Sequence, residues 1–354
     1  MASLRQERRR AMRLRRALSL LMTAVAFVSC SRDPLYYATS DMAMVLVETD
    51  WSASGVSPNG VSVFAFNEAD GSLYRRFPPV AAQQTCRLRL PQGDYTLVVT
   101  NDSPEELEQT MAFVGTENIG TFQVRGVKDE RRSERLSAFL QTKAGDASGE
   151  YCIVDPDTLA VAVVRGVHVS PQQKDYYDEQ PESNATGETV IGVQAKPLPV
   201  LSTVNIKAHV KGLKYARGTT LSYLRGVAAG HYPGLGENSK EQVAQSFILN
   251  NRVFDPGSDS DGTITAEFLS FGLTGNGDTD SRYYLDINFV LVNGESYPLT
   301  FDVTDLISVD VSLSLKLSLS LALEIELPEV VGDEEGGFNT GVGEWEEEII
   351  DIPM

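Results

Sequence analysis

The chain reads as all-β, built as two successive β-sandwich domains, and three features predict this. Apolar and polar residues alternate with period two in several runs, turn signals recur between the runs at short spacing, and one polar, aperiodic stretch divides the series in two. With 354 residues, 42% hydrophobic and 22% charged, the chain is long and apolar enough for large buried cores, and its length fits two domains of ordinary size.

Residues 1–29 precede this body and read as an export signal. Seven arginines between Arg5 and Arg16 lead into the twelve-residue apolar run from Ala17 to Val28, which ends at Phe27-Val28-Ser29-Cys30. Twelve helical residues rise only about 18 Å, short of the roughly 30 Å hydrocarbon core, so the segment is too short for a permanent span. Position, Ser29 and Cys30 resemble a bacterial lipobox, with Phe27 where leucine is usual. Cleavage before Cys30 would leave that cysteine for acylation, and several acyl chains hold a protein firmly to a membrane. The blander alternative is a secretory signal with an incidental cysteine. Losing residues 1–29 removes seven Arg and one Glu, leaving 23 basic against 48 acidic side chains, a net charge of −25. A body so acidic has no electrostatic footprint for nucleic acid.

The alternating runs Cys86 to Leu90, Thr203 to Val210 and Tyr284 to Leu291 are strands with one face on a core. Pro58-Asn59-Gly60, Asp70-Gly71, Pro91-Gln92-Gly93, Asp261-Gly262 and Asn293-Gly294 supply the turns. Helices are expected to be few and short. Ser103-Pro104-Glu105-Glu106 has a capping serine, proline at the first helical position and glutamate at the third, so a helix of one or two turns starts there; Ser239 to Gln242 repeats the spacing more weakly. From Val311 to Leu327 every odd position is apolar. Those seventeen residues would extend about 56 Å, against about 40 Å for a compact domain. The expected strand therefore bends, switches sheets near Ala322 or runs beyond its domain, and part of it could form an edge open to a partner strand. Pro171 to Asn184 is polar and aperiodic, a long loop or linker. The domains are accordingly placed at 30–196, with the polar loop near 171–196, and at 197–354, with an acidic tail.

Chemistry is hard to find. No Gly-rich phosphate loop stands between strand and helix, no His-Glu-x-x-His occurs and no serine sits in a nucleophile elbow. Three His (His168, His209, His231) and three Cys are too few for a zinc ribbon, haem or iron–sulfur site, so no cofactor or metal is expected and the chain reads as non-catalytic. The loops Asp255 to Gly262 and Asn276 to Asp280 carry oxygen ligands at alternate positions but miss an EF-hand register at Gly257 and Phe268, and read as solvated turns. Cys86 and Cys152 could bridge outside the cytoplasm, or stand as buried apolar thiols; Cys86 shares its face with Leu88 and Leu90.

A resemblance rests on Asp50-Trp51-Ser52, Pro58 to Asn67, Leu90 to Leu97 and Asn101-Asp102. In the second half it continues through Lys211 to Ala216, Leu224 to Ala228, Phe271-Gly272-Leu273 and Asp302 to Asp305, and it ends with Gly336-Gly337-Phe338, Val342, Trp345 and Ile350 to Met354. These residues resemble a Bacteroidales lipoprotein family of unknown function within the fimbrillin-like group, related to type V pili. The resemblance implies two tandem transthyretin-like sandwiches, a lipid anchor, an outer-membrane or cell-surface location, and other fimbrial subunits as partners by strand addition. It further implies, for stalk subunits, removal of the first strand after an arginine. Here the stretch from Cys30 to Trp51 holds only Arg32, beside the lipid site, which favours an accessory, anchor or tip subunit over a polymerising one. The alternative is a stand-alone glycan- or protein-binding outer-membrane lipoprotein, with Tyr176-Tyr177 or Tyr283-Tyr284 as an aromatic platform. The tail after Pro328 has nine acidic residues and no Lys or Arg, and its Trp345, Ile350 and Ile352 either dock a final strand or anchor a partner strand. Asp157-Thr158-Leu159 resembles an acceptor triplet for O-glycosylation in this bacterial group, at Thr158.

Overall fold

A strand with one apolar face needs a second sheet to cover it, and in the computed structural model of the chain the alternating faces meet in pairs. The structure describes residues 42–81, 85–141, 150–170, 190–219, 221–249, 251–274, 280–311 and 317–330. Its first strands are β1 (Met42–Thr49), β2 (Gly60–Asn67), β3 (Leu73–Ala81), β4 (Cys86–Pro91), β5 (Gly93–Asn101), β6 (Met111–Val114), β7 (Gln123–Gly126), β8 (Cys152–Ile153), β9 (Ala160–Val169) and β10 (Val190–Ala195). Helix α1 (Pro104–Leu107) follows β5 and helix α2 (Glu130–Gln141) follows β7. The second series is β11 (Leu198–Pro199), β12 (Ser202–Lys211), β13 (Ala216–Thr219), β14 (Ser222–Ala228), β15 (Gly230–Tyr232), β16 (Glu237–Asn238), β17 (Gln242–Phe247), β18 (Asn251–Phe254), β19 (Gly262–Ser270), β20 (Tyr284–Leu291), β21 (Ser296–Asp302), β22 (Ser308–Val311) and β23 (Leu317–Glu326).

Sheet β10-β1-β4 and sheet β11-β9-β5-β2-β3 enclose one apolar cluster. Into it point Val45 and Val47 of β1, Leu88 and Leu90 of β4, Val61 and Val63 of β2, and Leu97 and Val99 of β5. Sheet β18-β19-β12-β23-β22 faces sheet β13-β20-β14-β17-β8, with β21 added along β20. Val204, Ile206, Ala208 and Val210 of β12 and Leu321, Leu323 and Ile325 of β23 meet Leu224, Val227, Leu285, Ile287 and Phe289 in a second, larger cluster. Burying each of these Val, Leu, Ile or Phe side chains contributes about 1.5–3 kcal/mol. A small sheet β16-β15-β7-β6 lies between, and Phe64, Phe66, Met111, Phe122 and Val124 belong to the larger cluster, so the apolar interior is continuous from one sandwich to the other. Three pairings cross residue 197: β11 on β9, β15 on β7, and β8 parallel to β17.

Several expectations hold residue by residue. Runs 86–90 and 203–210 lie within β4 and β12, and 284–291 coincides with β20. Gly71 and Gly294 turn the β2–β3 and β20–β21 hairpins at φ +73° and +84°, the left-handed region glycine occupies without steric cost. Ser103 caps α1 as a full capping box: its Oγ accepts from Glu106 N at 3.2 Å, and Glu106 Oε2 accepts from Ser103 N at 2.6 Å.

Other expectations are corrected. The weaker capping signal at Ser239 starts no helix, because Ser239 N donates to Gly230 O and Ala229 N donates to Glu241 O, committing the segment to sheet bonds before β17 begins at Gln242. The alternating run 311–327 is not one long strand. β22 and β23 pair antiparallel with Val311 opposite Leu317, so the chain reverses between them, and β23 pairs with β12 without a shift through Ala322. Reversal gives β23 a partner on both edges while its alternation still aims Leu321, Leu323, Ile325 and Leu327 inward. Helix α2, twelve residues long, exceeds the short helices expected; Ser133, Leu136 and Leu140 form its buried stripe, and Asp129 Oδ1 accepts from Arg132 N at 2.9 Å at its start. Cys86 and Cys152 are both free, buried in different apolar clusters, which removes the bridged alternative.

Candidate functional site

For a protein built of sheets, the first candidates for pairing with another chain are strand edges, where backbone N–H and C=O groups lack a ladder. β1 is not such an edge. It runs between β10, parallel with Met44 opposite Val190, and β4, antiparallel with Val45 opposite Leu88, and its Val45 and Val47 are fully buried. No Lys or Arg occurs between Arg32 and Arg75, so no basic residue marks the chain on either side of β1.

The outer strands differ in what they offer. β3 carries Pro78-Pro79 and β21 carries Pro298, residues that cannot donate to a ladder and so blunt those edges. The two edges of the β12 sheet are free of proline. On β18 all four residues are exposed, Val253 at 58% and Phe254 at 43%, and Ile248 just before it is 55% exposed; on β22, Val309 is 47% exposed. Beside β18 lies a cavity of about 290 Å³ lined by Leu213, Ala216, Ile248, Leu249, Ile264 and Phe289. Arg252 spans its rim, its guanidinium donating to Ala216 O at 2.7 Å and Leu213 O at 2.5 Å while Cζ sits 4.9 Å from the centre of the Phe254 ring. Burial lowers the Arg252 pKa from its ordinary value. Chemically this is an apolar groove next to a backbone edge that no other described strand pairs, suited to an extended strand with alternate apolar side chains. The reading of Val311 to Leu327 pointed to one of these edges; the β18 edge escaped it, because four residues are too few for alternation to register.

The histidines are structural. His209 on β12 contacts Glu324 Oε2 through Nδ1 and Asp255 Oδ2 through Nε2, each at 2.8 Å, and the two carboxylates, Asp255 foremost, raise its pKa. His231 pairs with Asn238 at 2.9 Å, and burial lowers its pKa. His168 pairs with Asp94 at 2.5 Å. Among the described residues no group of three His, Cys, Asp or Glu side chains could hold a metal. In the Asp255–Gly262 loop, Asp255 is taken by His209 and Asp261 Oδ1 accepts from Gly212 N at 2.8 Å; Asn276 to Thr279 lie outside the described residues. Arg225 on β14 is a buried cation with three partners: Asp286 Oδ2 at 2.6 Å, Glu150 Oε2 at 3.3 Å, and the Tyr284 ring 4.8 Å from Cζ.

Of the residues singled out in the sequence, Cys30, Trp345, Ile350, Ile352 and Tyr176-Tyr177 lie outside the described residues. Thr158 is exposed on the loop between β8 and β9, with its carbonyl accepting from Asn101 Nδ2 at 3.0 Å. Tyr283 is 4% exposed, its hydroxyl taken by Thr274, and Tyr284 lies under Arg225; neither forms an open aromatic platform.

A family model for a domain of unknown function, DUF5119, matches residues 29–248. Among solved structures, a candidate adhesin from Bacteroides ovatus is similar at 16% identity with a TM-score of 0.52, over 86% of this chain and 99% of that one. The fimbrial anchor protein Mfa2 from Porphyromonas gingivalis is similar at 15% identity with a TM-score of 0.46, over 80% of this chain and 90% of that one. No curated protein sequence matches. The Bacteroides ovatus likeness shows a shared fold.

Proposed function

The chain belongs to the DUF5119 family, a domain of unknown function, and from that premise we propose that it is a non-catalytic cell-surface lipoprotein serving as an accessory, anchor or tip-type fimbrial subunit. Acylated Cys30 holds it at the outer membrane, and its partners are other fimbrial subunits that add a strand. Two tandem transthyretin-like sandwiches, divided near residues 196 and 197, form its body. The observation that carries the reading is the state of β1: it is buried between two strands, and no basic residue follows Arg32 until Arg75. A subunit whose first strand cannot be clipped at an arginine keeps both that strand and its lipid. It then accepts partners at free edges, and the proline-free β18 and β22 supply them. Trp345, Ile350 and Ile352 of the acidic tail either dock on this chain or enter a neighbour. Thr158, exposed on the loop between β8 and β9, is the O-glycosylation site.

Three measurements test this. Mass spectrometry of protein from cells is expected to find acylated Cys30 as the first residue, and a mature N-terminus beyond about residue 40 overturns the anchor. Immunogold labelling of intact cells with antibody to residues 197–354 is expected at filament bases or tips. Label confined to a filament-free surface replaces the fimbrial role with that of a stand-alone glycan- or protein-binding lipoprotein. Deleting Glu344 to Met354 separates the two tail roles, since loss of folding supports docking and a folded, unassembled protein supports donation.

A further inference from the structure

Helix α2 covers only part of the outer face of the β14–β20–β21 sheet. Leu136 and Leu140 pack on Tyr223, Ala244 and Cys152, while beyond them the helix and the sheet diverge around an open cleft of about 520 Å³. Arg135 and Phe139 from the helix, Tyr223 from β14, Asn288 from β20, and Ser296 and Pro298 from β21 line it. That volume lies within the range of small-ligand sites.

The lining is chemically specific. Tyr223 is 2% exposed, yet its hydroxyl has no hydrogen-bond partner among the described residues and it faces the cleft. A phenol hydroxyl at a cleft wall can donate to or accept from a ligand hydroxyl. The Tyr223 ring stands 6.4 Å from that of Phe139, tilted by 52°, so two aromatic rings meet in the lining. From β20 and β21, Ser296 Oγ donates to Asn288 Oδ1 at 2.6 Å, presenting a hydroxyl and an amide together. Arg135 is exposed, has no ion-pair partner among the described residues and is the charged residue of the lining. The nearby Asp286 carboxylate is fully buried and neutralised by Arg225, so it does not oppose an anion in the cleft.

We propose that this cleft binds an acidic saccharide: a pyranose whose C–H face lies on Phe139, whose hydroxyls meet Tyr223, Asn288 and Ser296, and whose carboxylate meets Arg135. Aromatic surface with several separated hydrogen-bonding groups suits a ring that is apolar on its faces and polar around its rim. A planar guanidinium without a carboxylate partner suits a carboxylate in two-point contact. The cleft does not depend on filament assembly, so it stands or falls separately from the fimbrial reading.

The test uses the full mature chain, with glucuronic, galacturonic and N-acetylneuraminic acids as probes, and glucose, galactose and benzoate as controls. Saturation-transfer NMR and calorimetric titration are expected to show at least one acidic sugar binding about tenfold or more tighter than any control. Arg135→Gln is expected to remove about tenfold of that affinity and Tyr223→Phe several-fold, with unchanged circular dichroism. Arg135 is exposed and Tyr223→Phe keeps the ring, so both variants keep the fold. No binding by the acidic sugars, equal binding by neutral sugars or benzoate, or full affinity retained by Arg135→Gln overturns the assignment.

Discussion

The buried cation at Arg225 ties the stretch before β8 to the second sandwich, and replacing Asp286 with Asn tests how much rests on it. The Arg225 side chain is 9% exposed and that of Asp286 0%. Asp286 also accepts from Thr300 Oγ1 at 2.5 Å, so both carboxylate oxygens are used. A guanidinium cannot shed its proton at any relevant pH, and its buried partners push its pKa up further. Asn keeps an acceptor for Thr300 and the shape of the site but removes the charge, leaving a desolvated cation whose other ion-pair partner is Glu150 at 3.3 Å. Removing one member of a buried pair costs about 3–5 kcal/mol; with Glu150 still in place, about 3 kcal/mol is expected for Asp286→Asn. Glu150→Gln, acting through one longer contact, is expected to cost about 1–2 kcal/mol. Arg225→Met combined with Asp286→Leu removes both charges and is expected to recover most of the loss. Urea unfolding followed by circular dichroism reads all four proteins. A cost below about 1 kcal/mol for Asp286→Asn, or a double variant as unstable as the single one, refutes the reasoning.

Three further outcomes are expected. His209, its pKa raised above 6.5 by Asp255 and Glu324, contributes stability in full below that value and loses it as pH rises through the raised one. His209→Gln is therefore expected to flatten the alkaline limb of the unfolding midpoint against pH, whereas His231, shifted down by burial, acts with the opposite sign on the acid side. An unchanged alkaline limb counts against the pairing. Burial pushes the Cys86 and Cys152 thiols up to about 11, so iodoacetamide is expected to label neither in native protein at neutral pH and both in urea; a mass two hydrogens lower before reduction reveals a bridge instead. Gly226 sits at φ +89° in the β14 bulge, where an added Cβ would lie 2.1 Å from Arg282 O, so Gly226→Ala is expected to cost at least about 2 kcal/mol in the same urea assay. A near-neutral result shows that the bulge can relax.

How much was legible follows from the range of each interaction. The capping box at Ser103 is written within four residues, because both of its hydrogen bonds close between Ser103 and Glu106. The strand 284–291 is written within eight, because side chains alternate across any extended backbone. The reversal between β22 and β23 was not legible. Alternation continues unbroken from Val311 to Leu327, and only pairing with β12 on one edge and β22 on the other separates one strand from two. Helix α2 was obscured by its charged residues, with an apolar stripe reduced to Leu136 and Leu140.

By itself, then, the sequence determined the β class, the positions of three strands and several turns, the first helix cap and the acidic character of the chain, since period, turn chemistry and charge are properties of neighbouring residues. The tertiary structure decided which described strands lie at sheet edges, where Arg225 finds Asp286 and Glu150, and where Arg135, Phe139, Tyr223, Asn288 and Ser296 line one cleft. Those residues are separated by up to 161 positions, and only the packing of α2 on the β14–β20–β21 sheet brings them together.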